Sequence, residues 1–307
     1  MTKGNSKRSR LTLIKGVDPR APLHIKLKHV ANEFKKKCRD THWWKRELWR
    51  YIFEFYYKQL RANNGIYIVE ENWDNLIILD ACRYDVLGEV LGREIDYRIS
   101  RGSTTLEWFR ENFVDDKYDD IVYVTANPWV SKVAGDMFHK TIPVWKDGWD
   151  EDLDTVHPKI TTKYAKKAAK NYPDKRLIIH YLQPHAPYIV ETDIPKRPMK
   201  YLEKGQLDPL EVWNIYKQSL EATMPYVHEL IDSLSGRTVI SADHGELFGR
   251  KILFLTFAAH PWGIRVPELI KVPWVVFESE RHITTSEASE RQKIGQHIGR
   301  LKSKGRI

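Results

Sequence analysis

This sequence predicts an α/β fold built on a largely parallel sheet, and three observations carry the prediction. Short apolar runs rich in β-branched residues recur at 75–79, 121–125, 177–182, 238–242 and 272–277. Helical or loop patterns, among them 105–114, 161–171 and 211–234, separate the runs, as crossover helices do when they cover both faces of a parallel sheet. Several runs also stop abruptly at polar residues, and α/β proteins place their sites at the carboxyl ends of strands.

Taken from the N-terminus, residues 1–20 read as a basic tail and residues 22–62 as helical. Trp44, Leu48, Ile52 and Phe55 follow at spacings of four, four and three, one face of a helix, and Asn63, Asn64 and Gly65 supply a stop. The organisation expected is a basic helical extension over 1–64, a catalytic domain over 65–280 and a charged tail over 281–307. Neither an internal repeat nor a low-complexity block interrupts it.

A hydrophobic content of 42% with 12% aromatics fits a globular chain and argues against general disorder. The two cysteines, Cys38 and Cys82, make neither a disulfide framework nor a zinc-site spacing, as a reducing compartment permits. No apolar run reaches the roughly 18 residues of a spanning helix. The start, "MTKGNSKRSRLTLIKG", lacks an apolar signal core, so a cytoplasmic location, peripheral on the inner face of the membrane, is expected. The net charge of +9 is uneven: residues 1–61 hold 17 Lys/Arg against 5 Asp/Glu, and residues 62–307 hold 33 against 36. A basic arm suits an anionic partner, nucleic acid or an acidic membrane surface.

The run in "NLIILDACRYD" ends at Asp80. Such a residue can cap the next helix or hold a metal or substrate at the sheet edge, and the segment alone supports both. "RTVISADHGELFG" says more. Adjacent Asp243 and His244 cannot both face the core from one strand, because neighbours point to opposite sides. Past the strand end, in a turn opened by Gly245, both can converge on one ion, and a carboxylate with an imidazole suits Zn²⁺ or Mn²⁺. A purely structural Asp-His-Gly turn is the alternative; Asp80 at a second strand end favours a shared metal site. In "KRLIIHYLQPHAPYIV", Pro184 and Pro187 stiffen the loop that carries His185. His180, inside that run, reads as a hydrogen-bonded core residue. His260 lies before the last run, in "TFAAHPWGIRVPELIKVPW".

In kind and order these motifs resemble the sulfatase-like branch of the alkaline phosphatase superfamily, over about residues 74–277. "ADHGE" ahead of a "VPW" strand is the most specific of them, "HAPY" the next. The resemblance implies a three-layer α/β/α sheet, mostly parallel, with the N-terminal helical extension outside it. It also implies a divalent metal ion (Zn, Mn, Mg or Ca) and a hydroxyl nucleophile at the start of a helix soon after the first strand. "YRISRGSTTLEWFRENF" offers Thr105, with Ser103 and then Thr104 as alternatives. These are also ordinary capping residues, Thr104 and Glu107 having capping-box spacing, yet a helix N-terminus stabilises an anion too.

Two departures narrow the resemblance. "GSTTLEW" is not the Cys/Ser-x-Pro-x-Arg context in which formylglycine sulfatases place their nucleophile, and Asp80 is followed by Ala81 rather than a second carboxylate. The pattern is most similar to the threonine-using phosphoglycerol and phosphoethanolamine transferases. That similarity implies a metal on Asp80, Asp243, His244 and Thr105, with His185 and His260 binding phosphoryl oxygens or protonating the leaving group. Arg83 is an anion contact or a surface residue. Asn127 and His157, in loops after apolar runs, are candidate pocket residues. Cys82 lies in no Cys-x5-Arg loop and reads as a small residue packed under the site.

The function expected is hydrolysis or transfer of a phosphate ester of a small molecule, glycan or lipid, through a phospho-threonine. Sulfuric ester hydrolysis is the first alternative. A non-catalytic nucleic-acid-binding protein is the second, but the chain lacks glycine-aromatic RNA motifs and zinc-finger spacing. Between residues 43 and 61, aromatic and basic residues alternate in a way that suits lipid headgroups; packing of those aromatics on the domain is the other reading.

Overall fold

A computed structural model describes residues 22–39, 44, 52, 63–114, 117–252 and 255–279. In chain order its elements begin with α1 (Leu23–Lys37), β1 (Asn75–Leu79), α2 (Tyr84–Leu91), β2 (Asp96–Ile99), α3 (Thr105–Asn112), β3 (Tyr118–Thr125), α4 (Pro128–Ala134) and β4 (Phe138–Pro143). Next come α5 (Trp145–Gly148), β5 (Trp149–Asp150), β6 (Thr155–Val156), α6 (Pro158–Asn171) and β7 (Arg176–Tyr181). The remainder is α7 (Met199–Glu203), α8 (Pro209–Ile231), β8 (Gly236–Ser241), β9 (Leu247–Ile252), β10 (Leu255–Ala259), α9 (Pro267–Ile270) and β11 (Lys271–Ser279).

Seven strands form one sheet in the order β2-β11-β8-β1-β7-β3-β4. From β8 to β4 every neighbouring pair is parallel. β11 runs antiparallel to both β8 and β2, so that margin of the sheet departs from the parallel pattern. β1 is central and buried along its whole length. Its alternating side chains feed two separate cores, as a pleated strand requires. Ile77 and Leu79 pack with α2, α6 and α8 on one face, among them Val86, Leu87, Ala165, Ala168, Val212 and Leu220. Leu76 and Ile78 pack with Trp108 and Phe109 of α3 and Val130 of α4 on the other. Full burial of each such aliphatic side chain contributes about 1.5–3 kcal/mol. The three-layer α/β/α architecture is thus present.

All five apolar runs are strands, and 105–114, 161–171 and 211–234 fall on α3, α6 and α8. β2 and β4 lie at the sheet margins, and apart from the buried Phe138 their residues are exposed or half-buried and leave no apolar run. In the extension, α1 stops at Lys37: Cys38 closes it with a backbone bond to Phe34, and Cys38 and Arg39 form a turn. The tail, the rest of the helical pattern to 62 except Trp44 and Ile52, and 281–307 lie outside the described residues.

Candidate functional site

Parallel strands bring their carboxyl ends to one edge of a sheet. β1 delivers Asp80 there, β3 Asn127, β7 the loop with His185, and β8 Asp243 and His244. Asp80 leads into Ala81 at φ 59°, a left-handed conformation that a non-glycine residue adopts at a cost of order 1–3 kcal/mol. The turn is held because the Ala81 amide donates to Asp243 Oδ1 at 3.1 Å and Tyr216 Oη donates to the Ala81 carbonyl at 2.9 Å. Gly245 permits the next turn: a Cβ there would stand 2.0 Å from the Glu268 carbonyl oxygen.

Asp80, Asp243 and His244 offer ligand atoms that all lie within 4.8 Å of one another, in full burial. His244 Nε2 is 3.4 Å from Asp243 Oδ2 and 3.8 Å from Asp80 Oδ1. Its Nδ1 lies 2.8 Å from the Gly245 carbonyl, which accepts the ring proton and leaves the Nε2 lone pair turned to the carboxylates. Asp80 Oδ1 and Asp243 Oδ2 find no hydrogen-bond partner among the described residues. Two buried orphaned carboxylate oxygens facing an imidazole lone pair are costly alone and satisfied by a cation, so these residues fit a divalent metal. Burial by itself would raise the Asp80 carboxyl, yet His180, His185 and His244 outweigh it and hold it well below the carboxylate range. For His244 burial pushes down, and the Asp243 and Asp80 carboxylates reverse this and raise it. A site that attracts a proton this way attracts a cation by the same field.

The hydroxyl run behaves as three different residues. Thr104 is the N-cap of α3, accepting from the Glu107 amide at 3.2 Å. Ser103 is fully buried, with Oγ 2.8 Å from Glu107 Oε2 and 3.1 Å from the Pro261 carbonyl, so it has no exposed hydroxyl to offer as a nucleophile. Thr105, first residue of the helix, sets Oγ1 3.3 Å from His244 Nε2. Gly102 makes this placement possible, since a Cβ there would meet the Trp108 amide nitrogen at 2.1 Å.

Beside this cluster stands a second. His185, Glu246 and His260 also offer ligand atoms within 4.8 Å of one another. The His260 ring lies 4.4 Å from that of His244 and 5.1 Å from that of His185. Its Nδ1 is 3.2 Å from Glu246 Oε1. Desolvation lowers His260 below an ordinary imidazole despite Glu246. Burial would raise Glu246, but His260 and His185 draw it down. The "ADHGE" motif contains Glu246, but the sequence does not display its burial beside two histidines of other segments.

Three expected residues take structural duties. Arg83 turns back to Asp85, Nε to Oδ1 at 3.0 Å, and lies over Trp213 at 4.7 Å, so its charge is already engaged. Asn127 is at the site but as a support: its amide donates to Asp80 Oδ2 at 2.8 Å while its Oδ1 caps α4. His157 caps α6 through Nδ1, accepting from the Lys159 amide at 3.2 Å. Cys82 is buried, as expected.

No family model matches the sequence, and no curated protein matches it. Solved structures do. The soluble domain of lipooligosaccharide phosphoethanolamine transferase A from Neisseria meningitidis is similar over 67% of this chain and 75% of that one, with 16% identity and TM-score 0.48. The integral membrane protein from the same organism is similar over 83% of this chain and 59% of its own length, with 13% identity and TM-score 0.48. A protein of the alkaline phosphatase superfamily from Vibrio parahaemolyticus is similar over 67% and 59%, with 10% identity and TM-score 0.39. All three likenesses are at 16% identity or less, and the chemistry of this chain rests on its own residues.

Proposed function

We propose that this protein is a metal-dependent enzyme that hydrolyses or transfers phosphate esters through a phospho-threonine at Thr105. The observation that carries the reading is the Thr105 hydroxyl, 3.3 Å from His244 Nε2 at the rim of the buried Asp80–Asp243–His244 cluster. These four residues would hold the cation, which when bound supplies Lewis acidity and lowers the pKa of a neighbouring hydroxyl. Thr105 Oγ1 gives up its proton and attacks phosphorus in line; the Oγ–P bond forms as the bond to the leaving oxygen breaks. The first-turn amides of α3 stabilise the equatorial oxygens as charge builds. His185 and His260 carry the proton to the leaving oxygen. In the second step one of them takes a proton from water or an acceptor hydroxyl, whose oxygen attacks phosphorus, and the proton goes to Thr105 Oγ1 as the Oγ–P bond breaks.

Sulfuric ester hydrolysis is the weaker reading, because no cysteine stands at the nucleophile's place. The substrate class proposed is a glycan or lipid phosphate, and the place of work an anionic membrane surface on the cytoplasmic side, met by α1. That helix carries exposed Leu27, Val30 and Phe34 among Lys28, Lys35 and Lys36.

The test compares release of p-nitrophenol from a phosphodiester, a phosphomonoester and a sulfate. Phosphate-ester turnover that Thr105→Ala lowers roughly 10³-fold or more, with metal retained and a phosphate adduct on the 102–110 peptide of the parent, supports the reading. Turnover of the sulfate alone, or an undiminished Thr105→Ala variant, overturns it.

A further inference from the structure

His180 is the one histidine of this region that neither cluster includes. It sits inside β7, fully buried, with the Trp108 ring edge-on at 6.2 Å. Its Nδ1 is 2.9 Å from Tyr123 Oη of β3. Its Nε2 faces Asp80 Oδ2 at 3.7 Å and Asp243 Oδ2 at 3.8 Å, and has no hydrogen-bond partner among the described residues. The β-sheet register fixes this geometry, since His180 pairs with Ile78 on one side and Thr125 on the other.

Hydrogen-bond accounting selects the tautomer. Were Nδ1 to donate to Tyr123, the Nε2 lone pair would confront two carboxylates, and the buried tyrosine hydroxyl would keep an unplaced proton. With Tyr123 donating to Nδ1, the proton lies on Nε2 and faces two carboxylate oxygens, of which Asp243 Oδ2 has no other donor among the described residues. Tyr123 is suited to donate, because burial, with Asp243 and Asp80 adding to it, raises its hydroxyl well above an ordinary phenol.

We infer that the Tyr123–His180 pair is a positioning device for the metal carboxylates: Nε2–H, turned toward Asp80 Oδ2 at 3.7 Å and Asp243 Oδ2 at 3.8 Å, holds the two carboxylates in their orientation toward the cation. The inference rests on the metal-centre reading above. Partners of ligating carboxylates of this kind carry effects of about 10–100-fold in metal affinity.

The experiment titrates the metal-stripped full chain with Zn²⁺ against a competing chromophoric chelator, and records the visible spectrum of the Co²⁺-loaded protein. Tyr123→Phe removes one oxygen and keeps the ring. It is expected to weaken Zn²⁺ binding about 10-fold with the Co²⁺ bands in place. His180→Phe removes the donor and is expected to weaken binding further, while His180→Gln, which keeps an N–H, recovers part of the loss. Affinity unchanged in Tyr123→Phe and in whichever His180 variant folds overturns the positioning role and leaves the metal centre standing. Co²⁺ bands that shift as for a lost nitrogen ligand in His180→Phe overturn it in favour of direct ligation. A parent chain that binds no Zn²⁺ removes the metal centre and this inference together.

Discussion

Thr104 and Thr105 are neighbours of one chemical type, and one turn of helix gives them opposite duties. Thr104, extended at φ −143°, spends its hydroxyl on the Glu107 amide. Thr105, already helical, has its own oxygen free to approach His244. Side-chain chemistry therefore says little until the backbone assigns direction. Cys82 makes the same point through its environment. Burial, with Asp85 and Asp243 adding to it, pushes its thiol far above the ordinary value. Thiolate is the reactive form, so raising the pH from 7 to 9 leaves Cys82 protonated. In the native protein a neutral disulfide reagent is expected to titrate one thiol, the half-buried Cys38, across that range, and both thiols after denaturation. Two fast-reacting thiols in the native chain would contradict the buried placement.

Among the elements, α1 says most about a partner. Leu27, Val30 and Phe34 follow at three and four residues, one face of a helix, and are 58%, 46% and 47% exposed. Lys28, Lys35 and Lys36 are exposed around them. Each basic residue near an anionic surface adds on the order of 1 kcal/mol, screened over a Debye length. The full chain is expected to sediment with vesicles containing phosphatidylglycerol in low salt and to be released as salt rises. Replacing Leu27, Val30 and Phe34 with Asp should abolish sedimentation and leave turnover of a soluble phosphodiester unchanged. If the triple variant sediments as the parent does, α1 is not the membrane contact.

For the molecule as a whole, the site and the sheet edge are one object. Asp80, Asp243 and His244 come from two strands that pair directly, so a bound cation ties β1 to β8. A ligand that binds only the folded state stabilises it by about 2.7 kcal/mol at 100 times its dissociation constant. For a domain of this size that corresponds to roughly 5–10 °C in Tm. Chelation is expected to lower Tm by that amount and to abolish turnover. Asp243→Asn, which keeps shape and removes charge, should melt at the lower temperature with or without chelator. A Tm in the parent that ignores both chelator and added Zn²⁺ would sink the metal centre.

Alternation of apolar runs with helical stretches determined the α/β class, because buried parallel strands must be apolar on both faces, as "NLIIL" is. The places where those runs break, at Asp80, Asp243 and His244, marked the sheet edge for the same reason: polar groups are tolerated only where the strand leaves the core. β2 and β4 went unread since marginal strands need no apolar run. Tertiary structure alone decided the rest. It buried Ser103 and left Thr105 half-buried beside His244, laid Arg83 over Trp213, and made Asn127 a brace for Asp80. It also put Glu246 beside His185 and His260, and Tyr123 against His180. Each of these depends on a contact between segments tens of residues apart, and spacing along a chain carries no information about which distant side chain will stand opposite.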